Sequence, residues 1–288
     1  MKKTRISLLF FLLASVNTAF LQTEDITKQF NNAYRAFQSL TQEGIPEESL
    51  EFAKTALDLG QFLFDENSET TAALSYNYAL NLLDAGQQEK SAEEFSKTVK
   101  IYIQVFGREA ESLASVYFDE GRANSRINAR QSRRSFDRGI RIIGDIYGTS
   151  SLNFADINVQ AGIVLGEEAN LAVAERFFEK ALNIYETEFG RDNLYTALVN
   201  FHLGKYHFMN ANVSKSENFL SHAIAGLESL ESKDDVDQAL LTATRDLFDQ
   251  LDEIGILRRE IRNSFPSFDD YVSRNSPSYN PSPGPPPQ

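Results

Sequence analysis

The chain of 288 residues has no cysteine and no tryptophan, and it has only three histidines. Without cysteine it can form neither a disulfide framework nor the lipidated cysteine of a bacterial lipoprotein. A metal cage or a nucleophile paired with a base would depend on His202, His207 and His222. His202 and His207 are five positions apart, about 140° around a helix. We therefore expect three ordinary surface or groove histidines, and neither enzymatic activity, nor a cofactor, nor a metal site.

Phosphate-binding glycine loops and nucleophile elbows are also missing from the sequence. Acidic residues outnumber basic ones by 41 to 28, and they are scattered along polar stretches, which predicts a solvated acidic surface instead of a paired acid and base. A chain of this charge should repel nucleic acid and anionic lipid. We therefore expect no nucleic-acid partner.

The only marked apolar run is at the start of the chain. Residues 1–19 begin with three basic side chains and continue into an apolar stretch at 6–16, which is the pattern of a secretory signal peptide. This stretch is shorter than the roughly 20 residues that cross a bilayer, so we expect no stable membrane insertion of the mature chain. We predict cleavage at Ala19 and export, to a bacterial periplasm in preference to the extracellular medium.

Aromatic residues recur at a fixed period. Phe64, Phe106, Tyr147 and Phe189 are separated by 42, 41 and 42 positions, and glycine follows the last three. Small residues recur in the same register. They are Ala79, Gly121, Gly162 and Gly204 early in each unit, then Ser49, Ser91, Ser132, Ala174 and Ser216, and seven positions later Ala56, Thr98, Gly139, Ala181 and Ala223. Self-similarity at such a period is typical of stacked helical repeats.

The spacing within each unit predicts two helices. Apolar residues three and four positions apart, as in Phe178, Ala181, Leu182 and Tyr185, line one helix face. Small residues at a helix crossing let two backbones approach closely, and glycine after the terminal aromatic residue suits a helix C-cap. Each unit is therefore predicted to contain a helix, a turn, a second helix and a second turn.

This arrangement resembles the tetratricopeptide repeat family, in the 42-residue form of kinesin light chains. The resemblance covers residues 25–235 and implies an all-α fold, a right-handed superhelical solenoid of antiparallel helix pairs with about eleven helices. The predicted repeats are 25–66, 67–109, 110–150, 151–192 and 193–235. Ser75, Asn158 and Asn200 depart from the pattern, since the family has a bulky residue near that place. Residues 236–263 are predicted to form a capping helix, and residues 264–288 a disordered tail rich in proline and serine.

In this family the first helix of each repeat lines a concave groove, so the resemblance implies a groove that binds a peptide or a partner protein. The candidate groove residues are Tyr76, Asn77, Leu80, Phe118, Arg122, Arg126, Val159, Gln160, Ile163, Phe201, His202, Lys205 and Met209.

A run of arginines falls in the third predicted repeat. Arg130, Arg134, Arg138 and Arg141 lie on its second helix and form a candidate basic outer face. One interpretation is that they pair with acidic side chains of adjacent repeats, namely Glu93, Glu94, Glu175 and Glu179. The other is that they dock an acidic partner segment or a C-terminal carboxylate through bidentate contacts.

The sequence thus predicts an exported protein–protein interaction module acting in envelope assembly or regulation. One alternative is a relative of TonB-like energy transducers that lacks their C-terminal domain, suggested by the proline-rich end. Another is a small-ligand-binding protein or hydrolase, which would need a closed pocket around His202 with nearby carboxylates. A homo-oligomer built through the capping helix is a further possibility.

Overall fold

The computed structural model describes residues 23–167, 171–230 and 234–253. Over these ranges the regular structure consists of eleven α-helices and a short 3-10 helix, Gln250–Glu253. The prediction of an all-α chain with about eleven helices is confirmed. The predicted signal peptide, the predicted tail and the last part of the predicted capping helix lie outside the described residues.

The helices fall into two compact units, divided between Ile127 and Asn128. The division lies inside the third predicted repeat. The first unit contains α1 (23–42), α2 (Pro46–Phe64), α3 (Glu69–Asp84), α4 (Gln88–Phe106) and α5 (Glu111–Asn124). The second contains α6 (Ala129–Tyr147), α7 (Leu152–Glu167), α8 (Leu171–Phe189), α9 (Leu194–Met209), α10 (Val213–Glu228) and α11 (Asp235–Asp249).

The glycine pattern marks helix ends as predicted. Gly107, Gly148 and Gly190 follow α4, α6 and α8 with φ angles of 90°, 89° and 83°. Each of their N–H groups donates to the carbonyl four residues earlier, which satisfies a helix-end acceptor. Asp65 holds the same place after α2 with a φ of 73°, a backbone conformation that disfavours a side chain.

The small residues bring paired helices into close contact. The Ser91 hydroxyl of α4 donates to the Ala79 carbonyl of α3 at 2.8 Å, and Ser216 of α10 donates to Gly204 of α9 at the same distance. A Cβ on Gly162 would lie 2.9 Å from the Phe178 ring. The predicted close crossings are therefore present in both units.

Polar residues at two of the positions that depart from the family pattern form hydrogen bonds inside the fold. In the first unit the Ser75 and Thr98 hydroxyls are 2.7 Å apart and join α3 to α4. In the second, the Asn158 side chain donates to the carbonyl of Phe154 on its own helix at 2.6 Å. A bulky residue is thus replaced by a buried polar one at both places.

Each unit has its own apolar core. In the first, Phe30 of α1 packs with Ala56, Leu57 and Leu74. In the second, a cluster joins α9, α10 and α11. Its members are Ala197, Leu198, Phe201, Leu220, Ala223, Leu227, Leu240, Leu241, Leu247 and Leu251. α11 follows Asp234, whose side chain caps the helix in a capping box with Asp237, and α11 contributes Leu240, Leu241 and Leu247 to this cluster.

Candidate functional site

The first-helix face of the first unit is organised around Tyr76 on α3. Its ring lies against Phe95 and Tyr102 of α4, with centroids 6.0 and 6.2 Å away. Its hydroxyl donates to Oδ2 of Asp119 on α5 at 2.6 Å. Burial raises the pKa of Tyr102 to about 12, so this neighbour stays neutral at any physiological pH. One side chain therefore connects three helices.

Asp119 fixes the orientation of Arg122. The Arg122 Nη1 atom donates to Oδ1 of Asp119 at 3.0 Å, one turn away on α5. Asp119 is buried, whereas Arg122 is half-buried, so the guanidinium is held by a carboxylate beneath it. Asp119 was not among the candidates from the sequence. Asp119 occupies the same repeat position as the candidates Asn77, Gln160 and His202. This shared position is the sequence signal that could have identified it.

Five candidates on this face keep part of their side chain accessible. They are Tyr76, Asn77, Leu80, Phe118 and Arg122. Arg126 is exposed and lies beyond Asn124, the last residue of α5. The face of α3 and α5 therefore combines aromatic, aliphatic and guanidinium surface.

The α7 and α9 candidates in the second unit are mostly enclosed. Val159, Ile163, Phe201 and His202 are no more than 7% exposed, so the prediction that they face an open groove is wrong. Phe201 belongs to a buried cluster that also contains Leu240 and Leu247 of α11. Gln160, Lys205 and Met209 remain partly exposed.

Tyr206 explains how α7 and α9 come together. Its hydroxyl donates to the Ile163 carbonyl at 3.1 Å, and a Cβ on Gly166 would lie 2.4 Å from its ring. Burial raises its pKa well above the ordinary value for tyrosine. A large polar-tipped ring thus fills the space left by a glycine.

Two of the three histidines are internal, which corrects the expectation of surface or groove histidines. His202 stacks on Phe178 with centroids 6.0 Å apart and an interplanar angle of 7°. Burial lowers its pKa well below the ordinary value, and Lys205 adds to the effect. A neutral imidazole among aromatic rings serves packing. His222 is exposed.

His207 belongs to a polar cluster between α8, α9 and α10. Its Nε2 lies 3.4 Å from Oε1 of Glu175, which also accepts from Lys215 at 2.7 Å. Burial lowers the pKa of His207 although Glu175 opposes the shift. Burial alone would raise the pKa of Glu175, but Lys215 and His207 together lower it. The cluster joins three helices through one carboxylate.

The candidate basic outer face lies on α6, and Arg130, Arg134, Arg138 and Arg141 are all exposed there. Two of the acidic residues proposed as their partners bond elsewhere: Glu94 pairs with Lys97, and Glu175 pairs with Lys215. The arginine face is accessible, and these two carboxylates serve other cations.

His202 does not lie in the closed pocket that a hydrolase would need. Phe178, Phe201 and Tyr206 enclose this side chain. An open surface depression lies elsewhere, along exposed side chains of α1, namely Thr23, Glu24, Thr27, Lys28, Asn31, Asn32 and Arg35. Among the described residues no group of three or more histidine, aspartate or glutamate side chains is placed to hold a metal ion.

The helices within the described ranges include none that is both long enough and apolar enough to span a bilayer.

Residues 153–229, which include α8, α9 and α10 and most of α7, match the family model described as tetratricopeptide repeat. Solved structures give the same result over more of the chain. A putative kinesin light chain from Podosopora anserina, with nearly identical TPR-like repeats, superposes with a TM-score of 0.59 at 13% identity, covering 73% of this chain and 99% of the other. The fold is tetratricopeptide-like.

A variant of the same Podosopora anserina protein agrees, with a TM-score of 0.57, 12% identity and coverage of 70% of this chain and 93% of the other. At these identities the likeness concerns the fold. The prediction of a tetratricopeptide-like solenoid of helix pairs is confirmed. No curated protein sequence matches the chain.

Proposed function

We propose that this tetratricopeptide-like protein is a non-catalytic interaction module that binds a partner polypeptide on the α3–α5 face. The observation that carries the proposal is the Tyr76, Asp119 and Arg122 arrangement. A buried carboxylate holds a half-exposed guanidinium beside the exposed parts of Tyr76 and Phe118. Arginine and aromatic side chains held rigidly are the residue types that dominate binding energy at protein interfaces.

Repeat architecture supports the same proposal. Stacked helix pairs present successive first helices side by side and so provide an extended binding surface. Leu80 and Phe118 supply apolar area there, and Asn77 can bond to a peptide backbone. Because Asp119 already orients Arg122, less side-chain freedom is lost when the partner binds.

The first experiment places a photo-crosslinking residue at Asn77, with Lys100 on the exposed side of α4 as the control position. We expect a discrete partner band from position 77 alone. Arg122→Gln should weaken that band about tenfold, equivalent to roughly 1.4 kcal/mol. The matched variant Arg108→Gln changes an exposed arginine in the turn before α5 and should leave the band unchanged. Equal capture in all three chains would refute the α3–α5 site.

We also propose that the protein is exported, to the periplasm in preference to the medium, where it acts in envelope assembly or regulation. The composition of residues 1–19 supports this. Cell fractionation with intact-mass measurement tests it, and an uncut chain confined to the cytosol would contradict it.

A further inference from the structure

We propose that α6 provides a second binding surface, which docks an acidic polypeptide segment. α6 contains five arginines and two aspartates, a net charge of +3, in a chain whose formal net charge is −13. The second helices α2, α4, α8 and α10 are neutral or negative. Among the second helices, α6 therefore differs from the other four in the sign of its charge.

The arginines form a continuous strip. Arg130, Arg134 and Arg138 are four positions apart and Arg141 follows three later, and all four are exposed. With a rise of 1.5 Å and a turn of 100° per residue, this arginine strip is about 17 Å long and about 80° wide. Phe136 and Ile143 are buried on the opposite side of α6. The strip therefore points away from the core of the second unit.

α6 also carries two aspartates, one of which pairs with an arginine outside the strip. Asp137 lies beside the strip and pairs with Arg133, whose Nε is 3.7 Å from the Asp137 Oδ2 atom. Asp145 lies one turn beyond Arg141 and is exposed. Four guanidinium groups thus share their side of the helix with one carboxylate that does not already pair with Arg133.

The position of Arg130 is not explained by helix stability. It lies in the first turn of α6, which has no acidic residue, as is also the case for α7, α8, α9 and α10. Helix N-termini carry partial positive charge, so a cation in the first turn is unfavourable.

The chemistry of the strip favours carboxylates on a polypeptide. Every cation on α6 is an arginine, and the guanidinium group binds carboxylates in a bidentate geometry that lysine cannot reproduce. Arginines four positions apart in the strip are separated by about 6 Å along the helix axis, which is also the spacing of acidic side chains four positions apart on a partner helix. A membrane or a nucleic acid would also approach the acidic remainder of the surface, whereas a short segment contacts only the strip.

The test is fluorescence anisotropy of the full chain with a labelled helical peptide that carries glutamate at every fourth position, and with its glutamine counterpart. The triple variant Arg130→Gln, Arg134→Gln, Arg141→Gln is compared with Lys90→Gln, Lys97→Gln, Lys100→Gln on α4. Both remove three positive charges from exposed sites. We expect binding of the glutamate peptide alone, weakened at least about tenfold by the α6 triple and less than about twofold by the α4 triple.

Several outcomes would overturn the proposal. Equal losses in the two triples would assign the effect to net charge, and no binding by the unaltered chain would remove the surface altogether. Tighter binding of anionic vesicles or duplex DNA through the same arginines would assign the strip to another class of partner. If the α6 triple loses helicity, Arg134→Gln and Arg134→Lys replace it. We then expect partial binding with lysine, and equal binding by both single variants and the unaltered chain would reject the proposal.

Discussion

The Tyr76 hydroxyl donates a 2.6 Å hydrogen bond to Oδ2 of Asp119, which lies 43 positions later on the next first helix. Two consecutive repeats are thereby joined through a carboxylate that also accepts from Arg122. The equivalent positions elsewhere hold Tyr34 with Asn77, Phe118 with Gln160 and Val159 with His202, and none of these pairs a tyrosine with a carboxylate. The bond is therefore particular to α3 and α5, and it can be removed without changing the repeat pattern.

Tyr76→Phe should lower the free energy of unfolding by about 1–3 kcal/mol, because it leaves a buried carboxylate oxygen without its donor. Urea denaturation followed by circular dichroism measures the change. Tyr147→Phe, at an exposed ring 42% accessible, is the control and should change stability little. If the losses of unfolding free energy in Tyr76→Phe and Asp119→Asn simply add in a double-mutant cycle, the hydrogen bond contributes nothing to stability.

Gly162→Ala should destabilise the second unit. The added methyl group would lie 2.9 Å from the Phe178 ring, and overpacking of this kind costs about 1–3 kcal/mol. Thermal denaturation measures the loss. Phe178→Leu should cost less in the Gly162→Ala background than alone, because it relieves the clash, and simple additivity of the two changes would show that the crossing has room for a methyl group.

Asp65→Gly should stabilise the first unit, since Asp65 adopts a φ of 73° where the equivalent positions carry glycine. Relief of such a conformation is worth on the order of 1 kcal/mol. Part of this gain is offset by the loss of the hydrogen bond that Asp65 Oδ1 accepts from the Asn67 N–H at 3.0 Å. Urea midpoints measure the gain, and Gly107→Asp is the reciprocal variant, expected to destabilise. A loss of stability in Asp65→Gly would mean that the side-chain bond outweighs the strain.

Stability should fall as the pH is lowered through about 6.5, the pKa of histidine in an unfolded chain. Burial lowers the pKa of both His202 and His207 in the folded protein. Below this pH the unfolded chain therefore binds more protons than the folded chain does, and the free energy of unfolding decreases. Above it the contribution is constant. Melting temperatures between about pH 7.5 and 5.5 measure the trend.

Two variants assign this pH dependence to a residue. His202→Phe keeps a ring against Phe178 and removes the titrating group, so its stability should vary less with pH than that of the unaltered chain. His222→Asn changes an exposed histidine and should leave the pH dependence as it was. An unchanged slope in His202→Phe would show that protonation of His202 does not limit stability in acid.

The sequence predicted the helical fold because its signals are local and repeated. Glycine at 107, 148 and 190 requires only a positive φ at each place, and small residues at 79, 91, 204 and 216 require only a close crossing. Ser75 departed from the family pattern because its hydroxyl bonds to Thr98. That compensation depends on a residue 23 positions away, so it could not be read from the helix itself.

The candidate site was predicted less well because exposure depends on what covers a helix. Phe201 has the same register as Tyr76, yet Phe201 is buried in a cluster that includes leucines of α11, whereas Tyr76 is partly exposed. Asp119 was missed because an acidic residue on an acidic chain carries no distinctive pattern. Its role follows from the hydroxyl of Tyr76 and the guanidinium of Arg122, which only the folded chain brings together.

The capping of the second unit by α11 has a consequence for polymerisation. Leu240 and Leu247 fill a surface beside Phe201 and Leu227, and that surface would accept the same helix from a neighbouring molecule equally well. Reciprocal exchange would close a dimer, whereas one-way donation would leave an unfilled end on each new molecule and propagate a fibre. Tighter packing of α11 on its own chain would therefore disfavour both kinds of exchange.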